Sequence, residues 1–194
     1  MECVRWIGAD SCEKCGKPEG APVPRCQDCR GRELAFDKAR AAAAYEGPAR
    51  DALKAFKLGG ERRTAVVLAR WMVPPALALG RASCITWVPS TRRSDAERGF
   101  TPAEEIARPL AKRLALPARK LLTKTRDTLD QAALSRAERR ANLRGAFAAT
   151  ARIPERVLLV DDIMTTGSTA DACASALKAA GARRVLVVTF ARAP

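Results

Sequence analysis

A chain of 194 residues that is 47% hydrophobic has room for one α/β domain with a small appendage, and too much apolar content for wholesale disorder. Histidine is absent, which removes the usual general base near neutral pH and any mixed Cys/His metal site. The formal net charge of +14 points to a polyanionic partner, nucleic acid or a ligand with several phosphates, or else to an Arg-rich, Ala-rich compositional bias.

The start, MECVRWIGADSCEKC, lacks the continuous apolar region of a secretory signal, so a cytoplasmic location is expected. Five of the seven cysteines fall in the first 29 residues. Four of them form CEKC (Cys12, Cys15) and CQDC (Cys26, Cys29), two knuckles that each direct a pair of thiolates at one point. Together they make a tetrahedral zinc site with no open position, structural and not catalytic. A redox pair or an eroded, metal-free site are the alternatives. Gly16 suits a tight turn after the first knuckle, Cys3 is a spare ligand, and Cys84 and Cys173 read as buried thiols. Residues 1–35 are expected to form the zinc-binding module and residues 36–194 the main domain.

From about residue 36 the pattern alternates. KARAAAA from Lys38 reads as a strand, and GPARDALKAFK has helical spacing. ERRTAVVLARWMV reads as a second helix stopped by Pro74-Pro75, and its apolar window, broken by Arg70 and that double proline, is no membrane span. SCITWVP is a strand. TPAEEIARPLAKRLAL opens a helix with Thr101 as N-cap, Pro102 at the first position and Glu104 completing a capping box. Lys124 to Pro154 reads as a long connection with a helical piece near Ser135 to Leu143.

RVLLVDD is a strand ending in two acids. STADACASALKAAG is a helix with Ala170, Cys173, Leu177 and Ala180 on one face and Gly181 as its cap, and RRVLVVTFA is the last strand. Strand–helix–strand order with nearly continuous apolar strands implies an α/β fold, a mostly parallel sheet with helices on both faces.

In such sheets ligands bind beyond the carboxyl ends of the strands. Asp161 and Asp162 stand at that end, and MTTGST then leads into a helix whose first N–H groups, with the hydroxyls beside them, can cradle an anion. A phosphate on the turn and vicinal hydroxyls on the carboxylates describe a sugar phosphate. An aspartate N-cap with a polar turn would explain one acid but not two. A Walker-type loop is excluded, since no Gly-Lys-Ser/Thr occurs there.

The stretch VLLVDDIMTTGST resembles the phosphoribosyl pyrophosphate (PRPP) motif of type I phosphoribosyltransferases. With the cysteine pairs in front and YEGPARDALKAFKLGG, WVPSTRRSDAERGFTPAEEIA and RDTLDQAALSRAERRANLRGAF in order, nearly the whole chain resembles the ComF/ComFC (GntX-like) family. The resemblance implies that Asp161 and Asp162 hold the ribose hydroxyls and that Thr165, Thr166, Gly167, Ser168 and Thr169 hold the 5-phosphate. It puts Pro89, Ser90, Thr91, Arg92 and Arg93, with Arg98, at pyrophosphate and Mg²⁺. It makes Arg126, Gln131, Arg139, Arg140 and Asn142 the polar face of a flexible lid, where a solvated helix surface is the competing reading. Thr91 and Thr101 depart from the His and Asn common in the family.

The implied reaction is displacement of pyrophosphate at C1 of PRPP by a nitrogen nucleophile, driven by positioning and electrostatic stabilisation. The competing expectation is a non-enzymatic competence factor that binds single-stranded DNA beside a ComF-type helicase and recombination proteins. Lys112 to Arg152 holds 11 basic residues against Asp127, Asp130 and Glu138, a net of +8, but its one aromatic is Phe147.

Overall fold

The computed structural model describes residues 3–59, 62–126, 142–143, 145–150 and 152–193. Its centre is a four-stranded parallel sheet in the order β1-β6-β5-β2, formed by β1 (Lys38–Ala44), β2 (Cys84–Trp87), β5 (Arg156–Met164) and β6 (Arg184–Arg192). Parallel strands need crossovers, and the helices supply them: α1 (Gly47–Gly59), α2 (Thr64–Ala78), α3 (Arg92–Arg98), α4 (Pro102–Leu114) and α5 (Ser168–Ala179).

Side chains alternate across the sheet, so each strand feeds two cores. Leu158 and Val160 of β5 pack on one face with Leu53 and Phe56 of α1, Met72 of α2 and Ile106 of α4. Val157 and Leu159 pack on the other with Cys173 and Leu177 of α5 and all four knuckle cysteines. The cysteine-bearing segment therefore shares the second core. Arg5 to Ile7 cover the outer edge of β1, with Ile7 N–H donating to Ala42 O and Ala44 N–H to Arg5 O, both at 2.9 Å.

Four expectations change. Helix α2 runs through Pro74 and Pro75. The prolines free the carbonyls of Arg70 and Trp71, which sit on the exposed side, while burial of Ala76 and Leu79 holds the last turn. The capping box does not form: Thr101 Oγ1 donates to Asp95 Oδ2 at 2.7 Å, and Glu104 accepts from Arg108 at 2.6 Å. Ala180 is exposed and is itself the cap of α5, with Gly181 following at φ +110°. The long connection carries a short antiparallel ladder of β3 (Leu122–Lys124) and β4 (Phe147–Ala149). The expected helical piece lies mostly outside the described residues. No helix among the described residues is long and apolar enough to cross a membrane.

Candidate functional site

Strand β5 continues two residues past the paired acids, pairing through Met164 with Arg192 of β6. Strand alternation then sends the two carboxylates to opposite faces. Asp162 is buried on the side of α1, where Lys57 Nζ lies 2.5 Å from its Oδ2. Asp161 faces the side of Cys173, whose thiol is pushed up by burial and then by the Asp161 charge. Each acid also accepts from the next backbone N–H, Asp162 N–H to Asp161 Oδ1 at 2.9 Å and Ile163 N–H to Asp162 Oδ1 at 2.7 Å.

The electrostatics of the cluster are uneven. Burial, then the neighbouring Asp162 carboxylate, push the Asp161 carboxyl well above the usual range, with Lys57 pulling the other way. Burial works against charge on Lys57, but the Asp162 and Asp161 carboxylates outweigh it and raise its pKa. Arg98, exposed at the end of α3, is near enough to oppose the Lys57 charge. Two acids, one lysine and one arginine thus surround the carboxyl end of β5.

Immediately beyond lies the turn Thr165–Thr169. Gly167 sits at φ +75°, a backbone that L side chains rarely adopt, and leads α5 away from the sheet. Thr166 Oγ1 and Ser168 Oγ are 2.9 Å apart, and Ser168 N–H donates to Thr166 Oγ1 at 3.3 Å. The first N–H groups of α5 have no intrahelical carbonyl to reach, which is the physical basis of anion binding at such a terminus.

The sequence-predicted residues are partly brought together. Pro89, Ser90 and Thr91 line a cavity of 490 Å³ with Lys124 and Arg126, so the loop after β2 and the start of the lid segment share one opening. Arg126 also donates to Asn142 O at 2.8 Å. Thr91 does not stay in a loop: its Oγ1 accepts from Ser94 N–H at 3.0 Å and caps α3, which begins at Arg92. Arg93 points outward and pairs with Glu97 at 2.9 Å, so the expected loop arginines belong to a helix. Gln131, Arg139 and Arg140 lie outside the described residues.

The knuckle cysteines converge. Their four Sγ atoms all lie within 4.8 Å of one another and are buried. Cys15 and Cys26 Sγ are 3.6 Å apart and Cys12 and Cys29 Sγ 4.0 Å. Four sulfurs around one zinc at the usual bond length would be about 3.8 Å apart, so the donor set fits that ion. Backbone donors prepare it: Cys26 N–H donates to Cys12 Sγ at 3.2 Å, and such bonds lower the Cys12 pKa although burial opposes them. Burial and the Cys15 charge raise Cys26 to about 11 and Cys29 further. Gly16, at φ +67°, turns the first knuckle where a Cβ would come within 3.0 Å of Ala39 O. Cys3 is exposed and outside the cluster.

Two residues escaped the sequence reading. Lys57 stands inside the stretch YEGPARDALKAFKLGG, where its position on a helix carries no sign of its partner. Arg192 is 1% exposed at the end of β6, and a charged residue closing the apolar run RVLVVTFAR was the available signal.

The phosphoribosyl transferase domain family matches residues 96–194, the part that carries β5, the turn and α5. The chain belongs to that family. It is 29% identical to the DNA utilization protein YhgH of Salmonella typhi, over 93% of this chain and 83% of that protein. It is 28% identical to Competence protein F of Haemophilus influenzae, over 94% of this chain and 84% of that protein. The crystal structure of TT1426 from Thermus thermophilus is 24% identical over 66% of this chain and 72% of its own, with a TM-score of 0.36. The phosphoribosyl transferase domain and the ComF-type resemblance read from the sequence are both borne out by the family match and the named relatives.

Proposed function

We propose that this chain binds PRPP or a related ribose phosphate together with Mg²⁺, transfers the phosphoribosyl group to a nitrogen nucleophile, and has a role in competence and DNA uptake, a reading supported by relatives named Competence protein F and DNA utilization protein YhgH. One observation carries the reading: paired acids at the carboxyl end of β5 run into a Thr/Gly/Ser turn at the N-terminus of α5. Asp161 and Asp162 would accept from the ribose hydroxyls, and Thr165 to Thr169 would hold the 5-phosphate. Lys57 Nζ, 2.5 Å from Asp162 Oδ2, fixes that side chain in place.

In the reaction the C1–O bond to pyrophosphate breaks, the C1–N bond forms, and the nucleophile loses its proton. Positive charge grows on the ribose and negative charge on the leaving group. Bound with PRPP, Mg²⁺ would supply positive charge against the leaving pyrophosphate. The 490 Å³ cavity beside Ser90 and Thr91 gives the leaving group and acceptor a place, with Lys124 and Arg126 in its wall. Four-thiolate zinc would hold the N-terminal segment, residues 1–35, as a structural module.

Calorimetric titration of PRPP with Mg²⁺ tests the reading on wild type and on Asp161→Asn/Asp162→Asn. Magnesium-dependent binding lost in the variant is the expected result. A folded wild type that does not bind refutes the ribose-phosphate site.

A second reading, single-stranded DNA binding, gains support from a pair the sequence kept apart. Trp6 and Trp71 stack with ring centroids 4.4 Å apart, each still nearly half exposed, beside Lys38 and Arg40. Exposed aromatic rings flanked by cations suit stacked bases.

A further inference from the structure

Arg192 occupies an unusual place. Its guanidinium is buried between the four-cysteine cluster and the turn that follows β5. Nη2 donates to Cys15 Sγ at 3.7 Å. Nη1 donates to Met164 O at 3.3 Å, to Thr165 O, and to Ala193 O at 2.6 Å. Nε is buried without a hydrogen-bond partner.

A buried cation needs a counter-charge. Among the described residues no carboxylate is paired with Arg192, and the thiol sulfur of Cys15 is the one partner able to carry negative charge. Four thiolates around one divalent ion leave a centre of charge roughly −2. That centre is the counter-ion Arg192 otherwise lacks. The same side chain takes up two successive carbonyls where the turn begins, and Arg32 Nη1 takes the next, Thr166 O, at 3.1 Å. An anion site must present N–H groups and turn its carbonyls away. Here three consecutive carbonyls are held from the side of the cysteine segment.

We infer that Arg192 is a positioning residue that fastens the turn Thr165–Thr169 to the four-cysteine centre, so that metal in the centre and phosphate on the turn favour one another. The phosphate half of this linkage rests on the proposed function. By reciprocity, a metal that raises the affinity of the turn is itself held more tightly when the turn is filled.

The test is hydrogen exchange on the full chain, with zinc content measured on every sample. Wild type, wild type depleted with a chelator, Arg192→Gln and Arg192→Lys are compared, and PRPP with Mg²⁺ is titrated into each. In zinc-loaded Arg192→Gln, exchange at residues 164–169 should rise on the order of tenfold or more while 157–160 stay slow. Depleting wild type should give the same pattern, and depleting the variant should add little further, the non-additivity of a shared link. Lysine keeps a charge but has no fork to bridge both partners, so it should loosen the turn nearly as much.

An unchanged turn in a zinc-loaded variant overturns the inference. So does depletion that loosens wild type and variant by equal, additive amounts, or that unfolds 157–160 together with the turn. Should Arg192→Gln fail to fold, the lysine variant and the depleted wild type decide the question by the same criteria. Failure of PRPP to bind any sample, with the exchange pattern intact, would refute the ribose-phosphate reading and leave the fastening in place.

Discussion

Lys57 of α1 reaches Asp162 of β5 at 2.5 Å, and this contact joins a helix of one core to the acids at the mouth of the sheet. The lysine keeps some solvent, whereas the aspartate is nearly closed off. Removing the cation therefore leaves Asp162 buried beside Asp161 without its lysine partner.

Lys57→Met should destabilise the fold by about 1–3 kcal/mol, less than a fully buried pair because Lys57 stays partly hydrated. Lys57→Met/Asp162→Asn should recover part of that loss. Urea denaturation of wild type, the two single variants and the double variant closes the cycle, and strictly additive losses would show that the pair is not coupled.

The raised pKa of Asp161 fixes a sign for stability against pH. A carboxyl raised in the folded state stabilises fully below its unfolded value, and that contribution is lost as pH rises through the folded value. Asp161→Asn removes the group. Its stability relative to wild type should therefore climb as pH rises above the ordinary carboxylate range, although the variant loses ligand. Paired denaturation curves across that window would read the trend, and a difference independent of pH would contradict it.

Zinc should be present at about one equivalent per chain and be lost in Cys12→Ser/Cys15→Ser. Burial pushes Cys26 up to about 11 and Cys29 further, and both must give up their protons to bind metal. Metal affinity should therefore fall steadily as pH drops below about 11, through neutral pH and on into acid. Competition with a chromophoric chelator at several pH values measures the slope, and carefully purified wild type without zinc would refute the assignment.

For single-stranded DNA, log affinity should fall steeply against log salt, with a slope of about 0.7 per phosphate neutralised. Trp6→Ala and Trp71→Ala should each weaken binding by about 1–3 kcal/mol with little change in that slope, since stacking is not ionic. A flat salt dependence, or no binding near physiological salt, would remove the DNA role.

Elements that local chemistry specifies were legible along the chain before any fold was known. Apolar runs set β2, β5 and β6, the spacing of Cys12, Cys15, Cys26 and Cys29 set their convergence, and the order of acids, turn and helix set the outline of the site. These are short-range signals, and each survives folding because neighbours along the chain also meet in space. Pro74 and Pro75 misled because their ordinary meaning is local, whereas burial of Ala76 and Leu79 against the rest of the fold kept the helix going. Thr101 instead donates to Asp95 of the preceding helix, a partner that a capping pattern read within one helix does not include. Long-range packing alone brings Lys57 to Asp162, stacks Trp6 on Trp71, and sets Arg192 between the cysteines and the turn. Trp6 and Trp71 lie 65 residues apart in the sequence, and Cys15 and Arg192 lie 177 apart. No periodicity or spacing links residues at such separations, and the parallel sheet with its crossovers sets their approach.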